Sequence, residues 1–262
     1  METWIPLFIY GLIEGITEFL PVSSTGHLLI IQHWLPRQSD LFNIFIQSGA
    51  VLAILPLFPN RIQQVFRAWK DPEARDYVGK LVLAFVVTGV GGLILDRMGW
   101  QLPESVVPVA LALIAGGMLF VVAERILRGR TPVDQISWKL AAAVGIAQLA
   151  AAVFPGLSRS GACIILLLLC GVSRPLATEF SFLVGIPTIL AAGGLKLVEA
   201  LGDTSQHMTA AQWGGLAFGT VVSAIVSFVV VRWLLGYVKT HSFEPFGYYR
   251  IVLGVGLLLF LL

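Results

Sequence analysis

The residues with the clearest chemical potential lie in the stretch EGITEFLPVSSTGHLL, residues 14–29. Glu14 and Glu18 are four residues apart, so on a helix their carboxylates share one face. Two carboxylates on one face suit a hard divalent cation, which prefers oxygen ligands. The pair therefore predicts a site for Mg²⁺ or Ca²⁺. The alternative is a helix end close to the water boundary, where both side chains are simply solvated.

The same stretch contains a serine and a histidine at helical spacing. His27 follows Ser24 by three residues, so the two share a face if a helix opens near residue 23. This arrangement is typical of a nucleophile and its general base. Two other roles stay open for the histidine, which could attack phosphorus itself or activate a water molecule. A lone histidine on an apolar face is often structural, but the surrounding hydroxyls and carboxylates favour a functional role.

A second polar motif, PGLSRSGA, interrupts a distant apolar run and contains Arg159. Guanidinium binds phosphate through two parallel hydrogen bonds, and a helix that begins here would direct its N-terminal N–H groups toward an anion. The neighbouring hydroxyls and glycine predict an oxyanion site that includes Ser158, Ser160 and Gly161. The alternative is that Arg159 only neutralises Glu14 or Glu18, which does not exclude phosphate in the working state.

Composition indicates where these motifs lie. The chain has 262 residues, of which 57% are hydrophobic and 12% are charged. Soluble domains contain about 25% charged residues, so the composition predicts an integral membrane protein. The formal net charge is only +2, which gives no indication of nucleic-acid binding.

The apolar runs predict an all-α membrane protein. A membrane-spanning helix needs roughly 20 mostly apolar residues. Six runs meet this need, at 42–58, 77–95, 105–122, 180–197, 213–233 and 246–262. Two further apolar regions, 4–35 and 138–170, are interrupted by the motifs FLPVSSTGH and FPGLSRSG. Each of these regions is predicted to form two half-helices that meet at membrane depth.

Basic residues set the predicted orientation. They cluster in 59–80, 124–139 and 232–241, whereas 198–212 contains none. The positive-inside rule places the basic segments on the cytoplasmic side. Six spans fit this pattern only if each broken region returns to the side from which it entered. The sequence therefore predicts two re-entrant hairpins, 4–35 from outside and 138–170 from inside, with both termini outside.

Opposite entry sides predict an inverted repeat within one membrane domain, 1–262. Pro21 and Pro155 occupy matching positions, each followed by serines and a glycine. IQSGAVLAIL (46–55) also resembles FLVGIPTILAAG (182–193). The repeats are predicted at 1–122 and 136–262. Folds of this kind bind their ligands where broken helices meet near the midplane.

One further arginine, Arg250, lies in FGYYRIVLG, about a turn inside the last predicted span. Its depth is compatible with a long side chain that extends to the membrane interface. A functional role is the equal alternative.

These motifs resemble those of the bacterial undecaprenyl-pyrophosphate phosphatase (BacA/UppP, bacitracin-resistance) family. EGITEFLPVSSTGH is similar to its first signature and PGLSRSGA to its second. FIQSGAVLAIL, FSFLVGIPTIL and YYRIVLG are similar to its further blocks, in the same order. Two positions depart from the family pattern: Ser48 stands where leucine is usual, and Cys163 where threonine is usual.

The resemblance implies a hydrolase that removes the terminal phosphate of a C55 polyprenyl diphosphate with the help of a divalent cation. This reaction recycles the lipid carrier of peptidoglycan synthesis and confers bacitracin resistance. The implied catalytic residues are Glu14, Glu18, Ser24, His27 and Arg159. The hydroxyls that flank them and would bind phosphate are Ser23, Thr25, Ser158 and Ser160.

The expected location is the bacterial cytoplasmic (inner) membrane, with the active site facing outside. The expected partners are the polyprenyl diphosphate and the bilayer, and a homodimer is left open. The alternative function is a flippase or transporter of the polyprenyl phosphate carrier, because broken helices in inverted repeats are also a feature of transporters. The serine–histidine pair argues for hydrolysis, since binding alone does not need it.

Overall fold

The computed structural model describes residues 4–99, 105–202 and 209–260, and within these ranges it contains helices and connecting segments but no β-strand. The helices are α1 (Trp4–Thr17), α2 (Ser24–Ile31), α3 (Asp40–Ile54), α4 (Pro59–Arg67), α5 (Pro72–Arg97), α6 (Val106–Leu127), α7 (Trp138–Val153), α8 (Arg159–Leu169), α9 (Arg174–Gly202), α10 (Ala210–Tyr237) and α11 (Glu244–Phe260). A short 3₁₀ turn, Leu55–Leu57, extends α3.

The prediction of an all-α integral membrane protein is confirmed. Within the described ranges, five helices are long and apolar enough to cross a membrane: α3 with its 3₁₀ turn, α5, α6, α9 and α10. The lipid-facing character is clearest on α5, which exposes Val82, Val86, Val90, Leu93 and Ile94. Such a surface is stable only in hydrocarbon, because in water it would be a large apolar patch.

The sixth predicted span corresponds to α11, which has 17 described residues. Its predicted last two residues, 261–262, lie outside the described part of the chain. The count of six crossings therefore stays a prediction, although helices occupy every one of the predicted spans.

Both broken regions contain two short helices each. In the first region α1 has 14 residues and α2 has 8, and in the second α7 has 16 and α8 has 11. At 1.5 Å per residue each helix is shorter than the roughly 30 Å of a bilayer core. The interruptions fall at FLPVSS and FPGLS, the two motifs that carry the candidate chemistry. That each region returns to its side of entry stays a prediction.

The two interruptions end in the same local structure. Ser23 and Ser158 have φ values of 71° and 67°, and they are the non-glycine residues with positive φ in the described chain. Each caps the helix that follows, since Ser23 Oγ accepts from the N–H of Gly26 and Ser158 Oγ from that of Gly161. Left-handed backbone at an ordinary residue is strained, and such strain concentrates at functional sites.

Helix packing follows the same scheme in the two halves. Helix α1 packs against α10 as α7 packs against α5, and α3 contacts α10 as α9 contacts α5. Small residues allow the close approach. A Cβ atom on Gly15 would lie 2.7 Å from Val226 Cβ, and one on Gly145 would lie 2.7 Å from the Ala84 carbonyl oxygen. The inverted relation between the halves stays a prediction.

Residues 59–80, which the sequence treats as a basic loop, contain a helix that was not predicted. Helix α4 occupies Pro59–Arg67, and α5 begins at Pro72, earlier than the predicted 77. Asp71 caps α5 by accepting hydrogen bonds from two backbone N–H groups, and Pro72 suits the first helical turn. Hydropathy could not find α4 because none of its residues is buried.

Candidate active site

Glu18 is the residue at which the two interruptions meet. It follows the last residue of α1 and is 9% exposed. Its Oε1 accepts a hydrogen bond from Arg159 Nη2 at 3.1 Å, and its Oε2 accepts one from Ser24 Oγ at 3.0 Å. One carboxylate therefore joins the first residue of α2 to the first residue of α8, and the pair of Glu18 with Arg159 spans 141 positions of sequence.

A second contact runs between the same segments. Ser160 Oγ donates to the Glu18 carbonyl oxygen at 3.5 Å. Ser181 on α9 in turn donates to the Ser160 carbonyl oxygen at 3.4 Å. Both serines are fully buried, so the second interruption is held against the first by groups that no water replaces.

Glu14 lies one helical turn before Glu18 and is fully buried. Neither of its carboxylate oxygens makes a well-formed hydrogen bond within the described residues, although the side chains of Glu18 and Gln47 lie close enough to act on it. The charges that act on it are those of Glu18 and Arg159. A buried carboxylate with so little hydrogen bonding is costly, so this residue points to a ligand that carries positive charge.

The two glutamates fit a divalent cation of the magnesium type. No group of three or more His, Cys, Asp or Glu side chains that could hold a metal occurs in the described ranges. Mg²⁺ does not need such a group, because it commonly binds one or two carboxylates together with substrate phosphates and water. The unpartnered oxygens of Glu14 supply ligand atoms of the required kind.

Arg159 retains unused hydrogen-bond donors. Only Nη2 bonds to Glu18, while Nε and Nη1 are buried and have no partner among the described residues. The pairing with a glutamate that was the alternative for Arg159 is thus present, and it uses one part of the guanidinium. Nε and Nη1 lie on different edges of the guanidinium, so each remains free to donate a separate charge-assisted hydrogen bond to a phosphate oxygen.

Gly185 on α9 provides the space that Arg159 occupies, a role that was not predicted from the motif FSFLVGIPTIL in which it lies. A Cβ atom at residue 185 would lie 1.7 Å from Arg159 Nη1. We expect Gly185→Ala to displace the guanidinium and to lower the rate of the phosphate release that the family resemblance implies by about a hundredfold. The measurement is turnover of purified protein beside Gly194→Ala on the same helix, where an added Cβ meets nothing within 4 Å. Equal turnover in both variants would contradict this view of Arg159.

His27 makes no hydrogen bond to Ser24 in the structure. Its Nδ1 lies 2.8 Å from the Ser23 carbonyl oxygen and its Nε2 lies 2.6 Å from Tyr249 Oη. A carbonyl oxygen only accepts, so in the neutral ring Nδ1 carries the proton and Nε2 accepts from the tyrosine. Ser24 instead donates to Glu18. The roles of Ser24 and His27 in catalysis stay predictions.

Tyr249 was missed by the sequence reasoning. It lies on α11, and its ring is nearly parallel to that of His27, with centroids 5.7 Å apart. The available signal was the motif FGYYRIVLG, in which the predicted functional candidate was Arg250.

The other predicted phosphate-binding residues surround this junction to different degrees. Ser158 and Ser160 lie together, with their hydroxyl oxygens 3.2 Å apart, and the backbone N–H of Gly161 is bonded to Ser158 Oγ. Ser23 is buried at its cap position. Thr25 is exposed on the first turn of α2. Of these residues Ser160 reaches Glu18 directly, through the carbonyl oxygen of that residue.

Arg250 does not extend to the membrane interface, because its side chain is fully buried. The guanidinium donates to five backbone carbonyl oxygens. They belong to Pro21 in the first interruption (3.1 Å), to Gly156 (3.1 Å) and Leu157 (2.9 Å) in the second, and to Ala112 (3.4 Å) and Leu113 (3.5 Å) on α6. Arg250 thus ties both interruptions to α6.

Comparison with known proteins identifies the family. The family described as "Bacitracin resistance protein BacA" matches residues 7–256. This chain belongs to the BacA family. A Rhizobium etli protein named undecaprenyl-diphosphatase is 49% identical over 251 residues, which cover 95% of this chain and 94% of that protein. Proteins of the same name from Xanthomonas oryzae pv. oryzae and Xylella fastidiosa are each 48% identical, over 265 and 252 residues, and cover 98% and 96% of their own lengths.

In this BacA protein the two departures from the family motifs make no hydrogen bond to the Glu18 carboxylate. Ser48 donates to the Ile44 carbonyl oxygen of its own helix at 3.0 Å. Cys163 is buried and its Sγ lies 3.9 Å from the Val144 carbonyl oxygen on α7. Cys163 thus takes up a contact between α7 and α8, and its thiol lies near Ser181, which bonds to the Ser160 carbonyl oxygen.

Proposed function

We propose that this BacA protein hydrolyses undecaprenyl diphosphate to the monophosphate and inorganic phosphate. The observation that carries the proposal is the junction at Glu18, where Ser24 and Arg159 converge from two separate interruptions. The BacA family match and the names of the relatives support the same reaction. The reaction would recycle the lipid carrier of peptidoglycan synthesis and so confer bacitracin resistance.

The contacts favour Ser24 as the nucleophile. Its oxygen would bond to the terminal phosphorus while the bond from that phosphorus to the bridging oxygen breaks and the lipid monophosphate leaves. Glu18 already accepts the Ser24 hydrogen bond, so it is placed to take the proton. Water would then hydrolyse the phosphoserine. The rivals are His27 as nucleophile and water activated by His27, and in both cases Tyr249 would first have to release Nε2.

Charge stabilisation is the main task of the other residues, as in most phosphoryl transfer. The unused Nε and Nη1 of Arg159 would bind oxygens of the transferring phosphoryl group. Glu14 and Glu18 would hold a divalent cation, which when bound supplies positive charge to the diphosphate.

The test is release of phosphate from C55 diphosphate by the purified protein in detergent. We expect EDTA to abolish the release, Mg²⁺ or Ca²⁺ to restore it, and Glu14→Gln to lose at least a hundredfold. The matched control is Glu199→Gln, an exposed residue paired with Lys196 on α9. An acid-stable phosphoenzyme would identify serine as the nucleophile, whereas an acid-labile one would identify histidine. Full activity of wild type in EDTA would remove the cation from the proposal.

Transport of the polyprenyl phosphate is the second candidate. It is favoured by the position of the binding residues where two pairs of short helices meet, as in many transporters. A folded wild type that binds the lipid but releases no phosphate would make it the better explanation.

For location we propose the bacterial cytoplasmic membrane, with the active site facing outside. The apolar helices support a multi-pass membrane protein, and the basic segments 59–80 and 124–139 support the orientation. A homodimer is compatible with this arrangement and has no separate support.

A further inference from the structure

We propose that an apolar cavity beside His27 binds the part of the isoprenoid chain that adjoins the diphosphate. This inference rests on the proposed function and assigns the remaining part of its substrate. The cavity has a volume of about 520 Å³ and lies between α1, the first interruption, α10 and α11. This volume is in the range of pockets that bind small molecules.

The walls of the cavity are apolar side chains from four segments. Ile13 and Ile16 come from α1, Leu20 and Val22 from the first interruption, and Trp233 from α10. Phe246 completes the wall from the start of α11. A chain of branched hydrocarbon units would gain van der Waals packing against these side chains, because in a membrane the hydrophobic effect itself does not distinguish the cavity from lipid.

The polar side chains in the wall already have partners. Thr17 Oγ1 donates to the Ile13 carbonyl oxygen at 2.7 Å, and Tyr237 Oη donates to the Ser242 carbonyl oxygen at 3.3 Å. His27 Nε2 and Tyr249 Oη bond to each other. These polar groups therefore do not need a hydrogen bond from a ligand. Glu14 and Arg159 behave oppositely, because both carboxylate oxygens of Glu14 and the Nε and Nη1 of Arg159 are buried without a well-formed hydrogen bond among the described residues.

One short segment separates the two environments. Glu18 and Ser24 at its ends belong to the polar junction, while Leu20 and Val22 between them line the cavity. A ligand that fits both must have a charged head and an apolar chain joined directly to it. A prenyl diphosphate has this construction, whereas a diacyl phospholipid inserts a glycerol and two ester groups between head and chain.

The cavity also has a direction in the membrane. Its far wall is formed by Tyr237, Pro245 and Phe246, next to the stretch 232–241 that carries Arg232 and Lys239. The positive-inside rule places this stretch on the cytoplasmic side. A diphosphate that enters from outside would thus be followed by a chain that runs further inward.

The experiment compares diphosphates that share a head and differ in chain. We expect wild type to have a higher kcat/KM for farnesyl (C15) than for dimethylallyl (C5) diphosphate. Ile16→Trp, which fills the cavity, should lower the C15 value by about tenfold or more and leave the C5 value within about twofold. Ile225→Trp is the matched control, since Ile225 lies on α10 and is 62% exposed.

A second readout does not depend on turnover. Farnesyl monophosphate should raise the melting temperature of wild type in detergent, by ligand linkage, and should not do so for Ile16→Trp. If Ile16→Trp fails to fold, Trp233→Ala takes its place in both measurements. Trp233 is half exposed, and its loss opens the cavity to the bilayer. Equal losses for C5 and C15, or no loss for either, would overturn the inference while leaving the hydrolase intact. Absence of phosphate release from every diphosphate would instead overturn the proposed function, and the melting shift would still judge the cavity.

Discussion

Arg159→Lys is expected to lower the kcat of phosphate release by about a hundred- to a thousandfold, equivalent to about 2.7–4 kcal/mol of transition-state stabilisation. Lysine keeps the positive charge but loses the planar fork of donors. It could still pair with Glu18, as Nη2 does now. It could not also supply the two donors that Nε and Nη1 hold without partners. The loss should therefore fall on the chemical step.

The measurement is steady-state release of phosphate from C55 diphosphate, with Arg61→Lys as the control. Arg61 pairs with Glu179 and lies over the ring of Tyr77, on the segment 59–80 that is remote in sequence from both motifs. We expect that control to keep nearly wild-type turnover, since partly exposed ion pairs contribute about 1 kcal/mol or less. A wild-type kcat in Arg159→Lys would show that the unused nitrogens do not touch the transferring group.

Arg250→Met is expected to be the most destabilising of these substitutions. Methionine is similar in length but donates no hydrogen bond, so the carbonyl oxygens of Pro21, Gly156 and Leu157 lose their partner. Each buried carbonyl left unpaired costs roughly 1–3 kcal/mol. A loss of about 3 kcal/mol corresponds to a fall of roughly 6–12 °C in melting temperature for a chain of this size. Turnover should fall with it, because both interruptions would be released.

The matched control is Arg128→Met, since Arg128 pairs with Glu244 while its side chain is 66% exposed. Its melting temperature should change by only a few degrees. Arg250→Lys adds a graded comparison, because an ammonium has three donors on a single nitrogen and cannot cover five carbonyl oxygens. An unchanged melting temperature and rate in Arg250→Met would mean that the interruptions are held by other contacts.

The parts of the site that the sequence could predict are those with few physical alternatives. Glu14, Glu18 and Arg159 lie within apolar runs, where a charge must find a ligand or a partner. Proline and glycine beside them mark the points at which a helix stops. These two facts were enough to locate both interruptions and to expect that they meet.

The partners of Ser24 and His27 could not be predicted in the same way. Helical spacing showed that they share a face, but it could not show what faces them. The answer depends on how α11, more than 200 residues later, places Tyr249 against α2. Ser24 likewise turns to Glu18 because the interruption folds back on the end of α1. Both contacts follow from tertiary packing and not from local pattern.

Arg250 illustrates a different limit. Its distance from the start of the span gave a depth at which an arginine can extend to the interface. Distance along a helix does not show what covers that turn, and here α6 and both interruptions cover it completely. Helix α4 was not predicted because it lacks a buried apolar run: none of its residues is buried, whereas Arg250 is completely covered.

The position of Arg250 on α11 also bears on biosynthesis. The ribosome delivers α11 after every other helix of the described chain. Until then the carbonyl oxygens of both interruptions lack the guanidinium that donates hydrogen bonds to them, although Glu18 and Arg159 are already in the membrane. The junction at Glu18 is therefore expected to become fixed only after α11 has been synthesised, and we expect a chain stalled before α11 to be inserted but inactive.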